Sequence, residues 1–218
     1  MAQLPKRLLL VEGAEELRVI PQLIEQATGL PWGEKQQPKL VVIKPTDGVE
    51  KLLSPGYIEA ELKTSQLHSL GVLLDADTDP KAQWQALRDR CLPSHPDFPA
   101  VPPKQGLVLT LTSGVRLGVW LMPDNEQRGM LETFLLMLRP QTYCPKLWQH
   151  AEGSVAQAES LGSPWRDAHR DKALIHTFLA WQDPPGRQLH QAVMQKMLDV
   201  QAPAAQGFVA WFRLLYEV

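Results

Sequence analysis

Two apolar runs that stop abruptly at carboxylates constrain this chain more than anything else in it. Arg7-Leu8-Leu9-Leu10-Val11 runs into Glu12-Gly13, and Gly71-Val72-Leu73-Leu74 runs into Asp75-Ala76-Asp77-Thr78-Asp79. A short apolar run, bounded by a turn signal and followed by a helical pattern, reads as a buried strand of a parallel sheet. In open α/β sheets, ligands gather at the carboxyl ends of the strands. Two such ends place Glu12 and an Asp-x-Asp pair on one rim. Like charges so close repel unless a cation neutralises them. The pattern therefore predicts a divalent metal site.

The rest of the chain fits that frame. Leu17, Ile20, Leu23, Ile24 and Ala27 recur at helical spacing and predict a helix over 14–28, with Pro21 marking a kink or a late start. Strands are predicted over 39–43 and 70–74. Short helices are predicted over 47–53 and 57–67, and a longer one over 80–92, where Pro80 holds a favoured early position. Strands at 106–111 and 115–122 flank Thr112-Ser113-Gly114, a hairpin signal. A helix over 129–138 follows, and beyond Arg139-Pro140 the pattern turns all-helical. The expected architecture is α/β: a mainly parallel sheet flanked by helices, with a β-hairpin and a helical C-terminal extension. The expected division is an α/β domain over residues 1–140 and a helical extension over 141–218, packed on it.

Charge narrows the partners. With 22 basic and 24 acidic residues the formal charge is −2, so no global basic field draws in nucleic acid. Cys91 and Cys144 have neither zinc-site nor disulfide-framework spacing, and both are expected to be reduced. The stretch Met1–Arg7 lacks signal-peptide architecture. No apolar run approaches the roughly 20 residues of a membrane span. The expectation is a cytoplasmic protein with no membrane partner.

The chemistry-bearing residues are all oxygen donors. Glu12 ends the first strand, and Glu16 lies about one turn into the next helix. Asp75 and Asp77 follow the third strand; two apart in extended chain, they point the same way. Asp124 follows the hairpin's second strand, and Glu132 lies on the helix after it. Such a set, without soft donors, favours Mg²⁺ or Mn²⁺. Carboxylates holding one or two such ions suit phosphoryl transfer. Plainer readings stand beside this one. Glu12 and Glu16 complement a helix N-terminus, the Asp run forms a turn, Asp124 serves the turn after Pro123, and Lys172 is a solvated helix residue. His176 reads as core packing, not as a ligand.

In this order, Leu10-Val11-Glu12-Gly13 and Leu73-Leu74-Asp75-Ala76-Asp77 resemble the Toprim domain shared by topoisomerases, bacterial primases, small ribonucleases and the overcoming-lysogenization-defect nucleases. The resemblance covers roughly residues 5 to 138. It implies that Glu12 is the acid/base or metal-linked glutamate and that Asp75 and Asp77 are Mg²⁺ ligands. Met122-Pro123-Asp124-Asn125, Gly129-Met130-Leu131-Glu132 and the segment from Lys172 to Trp181 resemble stand-alone prokaryotic Toprim-like proteins, related to the toprim half of the lysogenization-defect nucleases. That likeness adds Glu16, Glu132 and Lys172 to a two-metal site. No ATPase, strand-passing or primase zinc portion accompanies it.

The implied function is a Mg²⁺- or Mn²⁺-dependent nuclease acting on DNA or RNA, with Lys172 stabilising charge on the phosphorus. The alternative is a non-catalytic module of the same fold that docks a protein or nucleotide, with a partner protein or a second copy as its company. Hydrolysis of a small phosphoester is a third reading.

Overall fold

The computed structural model describes residues 6–32 and 39–218; the stretch before Lys6 lies outside the described residues. The fold is α/β. Five strands form one sheet in the order β2-β1-β3-β5-β4. They are β1 (Lys6–Val11), β2 (Val42–Pro45), β3 (Leu67–Asp75), β4 (Leu107–Thr110) and β5 (Arg116–Met122). β1 pairs in parallel with β2 and β3, β3 pairs in parallel with β5, and only β4 runs antiparallel, against β5.

Alternate strand residues feed two separate cores. Leu9, Val11, Leu73, Trp120 and Met122 face one side. There they meet α1 (Ala14–Thr28), α5 (Leu131–Met137), α6 (Pro145–Ser160), α7 (Arg170–Ala180), α8 (Leu189–Met194) and α9 (Pro203–Tyr216). Leu8, Leu10, Val72, Leu74, Val119 and Leu121 face the other. That side is covered by α2 (Val49–Leu52), α3 (Tyr57–Leu62), α4 (Pro80–Cys91) and the loop carrying Phe98. Burial on both faces explains why the central strands read as continuous apolar runs.

Several boundaries move from the sequence expectation. The first helix runs unbroken through Pro21. The carbonyl that loses its donor belongs to Leu17, on a face open to water (Leu17 is 44 % exposed). The second strand begins at Val42 rather than at residue 39, because its register with β1 starts at Leu8↔Val42. As an edge strand it accommodates Pro45 at its end. The third strand starts earlier, at Leu67, because it gains ladders on both sides; polar His68 and Ser69 hide it in the sequence. His176 is exposed rather than packed into the core. Cys91 and Cys144 are free thiols, the first buried and the second exposed. No helix among the described residues is long and apolar enough to cross a membrane.

The last helix is set into the sheet. Gly71 and Gly118 are register partners on β3 and β5. A Cβ at Gly71 would lie 2.3 Å from the Tyr216 hydroxyl, and one at Gly118 would lie 2.5 Å from Leu215 Cδ2. The two glycines form a shallow seat for the end of α9. Within it the buried Tyr216 hydroxyl donates to the Leu8 carbonyl at 2.8 Å. Trp120 packs edge-on against Phe208, with ring centroids 5.5 Å apart.

Gly118→Ala should overpack this seat and cost about 1–3 kcal/mol. Leu215→Ala leaves a hole of its own, yet the double variant should lose less than the sum of the two singles. Thermal melts of the three variants check this; strict additivity would show that the seat is not tight.

Candidate functional site

The carboxyl ends of β1, β2 and β3 open onto a pocket of about 460 Å³. Its lining includes Glu12, Glu15, Glu16, Asp47, Asp75, Asp77, Glu132, His169 and Lys172. Backbone geometry brings these residues together. Thr46 N–H donates to the Val11 carbonyl at 2.9 Å and Gly48 N–H to the Glu12 carbonyl at 2.9 Å, lacing the loop after β2 onto the end of β1. The loop after β3 is fixed in turn against the loop leading into α5. Asp77 and Gly129 exchange both backbone hydrogen bonds, each 2.8 Å. Gly129 has φ +136°, and a Cβ there would meet Thr133 Oγ1 at 2.5 Å, so only glycine fits.

Glu12 and Asp75 are held by backbone donors. Asp75 N–H donates to Glu12 Oε1 at 2.7 Å, tying the ends of β1 and β3 together. Leu131 N–H, in the first turn of α5, donates to Asp75 Oδ1 at 3.2 Å. Glu16 is buried on α1, and Glu132 is buried on α5. Lys172, on α7, reaches across to Glu132 Oε1 at 2.8 Å. Asp77 also lines the pocket, but at φ +50° rather than in extended chain, and its Oδ2 accepts from Gln83 Nε2 at 3.1 Å.

The electrostatics follow from burial and crowding. Burial pushes Glu12 up to about 7; the Asp75 N–H pulls the other way, and the charges of Asp77 and Glu16 push further. Burial also raises Glu16, against the backbone amides of its own turn and with the help of Glu132. Asp75 is raised well above the ordinary carboxylate range, first by burial and then by Glu12, Glu16, Glu132 and Asp77. Burial alone would lower Lys172, but its hydrogen bond and ion pair with Glu132, joined by Glu15 and Asp75, raise it instead. One ammonium thus faces a rim of crowded acids.

Six of the seven residues singled out from the sequence line this pocket: Glu12, Glu16, Asp75, Asp77, Glu132 and Lys172. Asp124 is not brought to it. Its Oδ1 accepts from Glu126 N–H at 3.1 Å and Gln127 N–H at 2.7 Å, which makes it the cap of a turn. The neighbouring Asn125 is buried and fixes that turn, accepting from Leu121 N–H at 2.8 Å. Asp79 caps α4 through Lys81 N–H and Ala82 N–H, both 3.0 Å.

Glu15, Asp47 and His169 also line the pocket without having been singled out from the sequence. Asp47 comes two residues after the end of β2, where Glu12 comes directly after β1, so a slightly wider strand-end rule reaches it. His169 sits in a 3₁₀ turn at Asp167–His169, far along the chain and without motif spacing. A second cavity of about 510 Å³ flanks α1; Leu17, Pro21, Trp32, Val41, Val42 and Ile43 give it an apolar wall, and among the described residues no carboxylate lines it.

The donor set suits a hard divalent cation: apart from His169 the possible ligands are carboxylate oxygens, and they outnumber the local ammonium. Among the described residues, no three His, Cys, Asp or Glu side chains are already gathered around one metal-sized point. The acids line the walls of the pocket.

A family model described as "Protein of unknown function (DUF3226)" matches residues 6–217. No curated protein and no solved structure matches the chain.

The raised carboxylates fix the sign of a pH effect. A folded-state value of about 7 for Glu12, against 4.5 for a free glutamate, means that folding favours the protonated form. Its contribution to stability is present below pH 4.5 and lost as the pH rises through about 7. The loss is on the order of 3 kcal/mol at full ionisation. In chelator, Glu12→Gln should therefore melt higher than the native protein at pH 8 and match it at pH 5. A variant that melts lower at pH 8 would refute the strain assigned to Glu12.

Proposed function

The chain belongs to the DUF3226 family, and from the acidic pocket its fold assembles we propose that it is a Mg²⁺-dependent phosphoryl-transfer enzyme of Toprim type. The reading is a nuclease that hydrolyses DNA or RNA phosphodiesters, with Mn²⁺ as a substitute ion. One observation carries it: five acids expected from the sequence, from β1, α1, the end of β3 and α5, line the same pocket.

In this proposal Asp75 and Asp77 hold the first ion, and Glu16 and Glu132 contribute to a second. Asp47, on the same wall, is a further oxygen donor. Bound cations supply neutralisation of the acids and charge stabilisation at the attacking and leaving oxygens. Glu12 serves as general acid/base or ligand. Without a bound ion, burial holds it up to about 7, within reach of a proton exchange near neutral pH. Lys172 carries a cation across the pocket, 48 % exposed and anchored on Glu132, where it can face developing negative charge on a phosphoryl group. Leu131 N–H holds Asp75 in place through Oδ1.

The second reading, a non-catalytic module that docks a protein or nucleotide, draws on the formal charge of −2. A chain without a net basic field lacks the usual source of nucleic-acid affinity. Metal affinity separates the two readings. No calorimetric heat with Mg²⁺ or Mn²⁺ at millimolar concentration favours the module.

Incubation with DNA and RNA in Mg²⁺ or Mn²⁺ should give cleavage. Asp75→Asn should abolish it, and Lys172→Met should lower kcat by about 10²-fold or more. Cleavage that survives Asp75→Asn would refute the assignment. Millimolar Mg²⁺ should also raise Tm strongly at pH 8 and less at pH 5, where Glu12 is protonated.

A further inference from the structure

We infer that Arg166, His169 and Lys172 form a phosphate-seating rim that guides a nucleic-acid strand onto the carboxylate pocket. The inference rests on the nuclease reading and names the surface by which the substrate enters. His169 and Lys172 both line the pocket. Arg166 sits just outside, with Nη2 3.3 Å from His169 Nε2. His169 ends the 3₁₀ turn and Lys172 lies in the first turn of α7, three residues on, so the two face the pocket together. Arg166 is the extended residue before the turn and joins them through its contact with His169. Arg170 leaves this row and pairs with Glu159 at 3.1 Å.

A strand arriving at this pocket meets crowded acids and a chain of net charge −2. Ions in the pocket offset charge at the scissile phosphate only. The flanking phosphates need donors of their own, because neutralisation by basic side chains supplies most backbone affinity. Arg166 is exposed, and its fork matches phosphate oxygens in a bidentate manner. Its guanidinium contacts a ring nitrogen rather than a carboxylate, so phosphate binding breaks no ion pair at that contact. A guanidinium only donates, so this contact uses His169 Nε2 as its acceptor. Arg166 and His169 are positioning residues: they hold flanking phosphates and touch no reacting atom.

The test is fluorescence anisotropy of a labelled single-stranded oligonucleotide, with Ca²⁺ replacing Mg²⁺ to hold the acids, across a salt series. Arg166→Ala should weaken binding several-fold and reduce the slope of log affinity against log salt by about one. Arg166→Lys should restore most of that slope. His169→Ala should raise KM for cleavage and leave kcat near the native value. Arg170→Ala, off the row, should leave slope and KM unchanged. Asp75→Asn should abolish cleavage and leave the salt slope standing. Cleavage by the native protein with an unchanged slope in Arg166→Ala overturns this inference alone. A native protein that neither binds nor cleaves overturns the nuclease reading with it.

Discussion

The acidic rim exists because backbone hydrogen bonds hold it together against its own charge. Carboxylates raised by burial and by one another would spread apart if only side chains placed them. Asp75 N–H is fixed in the ladder's last residue and donates to Glu12. Asp75 in turn accepts from the first turn of α5. Three elements therefore converge on two acids, and each contact also satisfies a backbone donor at a strand or helix end. The crowding is built into the fold and is open to relief by protons, by Lys172 or by a cation.

That arrangement depends on the central sheet, which depends on the C-terminal helix. β1 and β3 lie adjacent only because parallel pairing buries both their faces. One face is closed by α9, seated on Gly71 and Gly118 and hydrogen-bonded to Leu8, four residues before Glu12. Residues after Arg139 also supply Lys172 and His169 to the pocket. The helical segment thus finishes both the core and the rim.

The same dependence explains what could be read in advance. Glu12, Asp75 and Asp77 were legible because each ends an apolar run, a local signal. Asp47 obeys a slightly wider form of the same rule but follows a short edge strand whose pattern is weaker, with two of its four residues exposed. Asp124 broke the rule. After Pro123 the chain turns sharply, Asn125 hydrogen-bonds back to Leu121, and the Asp124 carboxylate caps that turn. His169 has no local signal, since its place comes from how α7 packs near α5.

The sequence by itself determined that the central sheet is mainly parallel, that β1 and β3 run into carboxylates, and that most of the possible donors are carboxylate oxygens. These are consequences of residue type and periodicity, which act over a few neighbours. Only the tertiary structure decided which acids share a pocket, that Lys172 reaches Glu132, and that two glycines admit Tyr216. Those facts link residues as far apart as Leu8 and Tyr216. Such distances are closed by packing and strand register, and neither is written in any local stretch of chain.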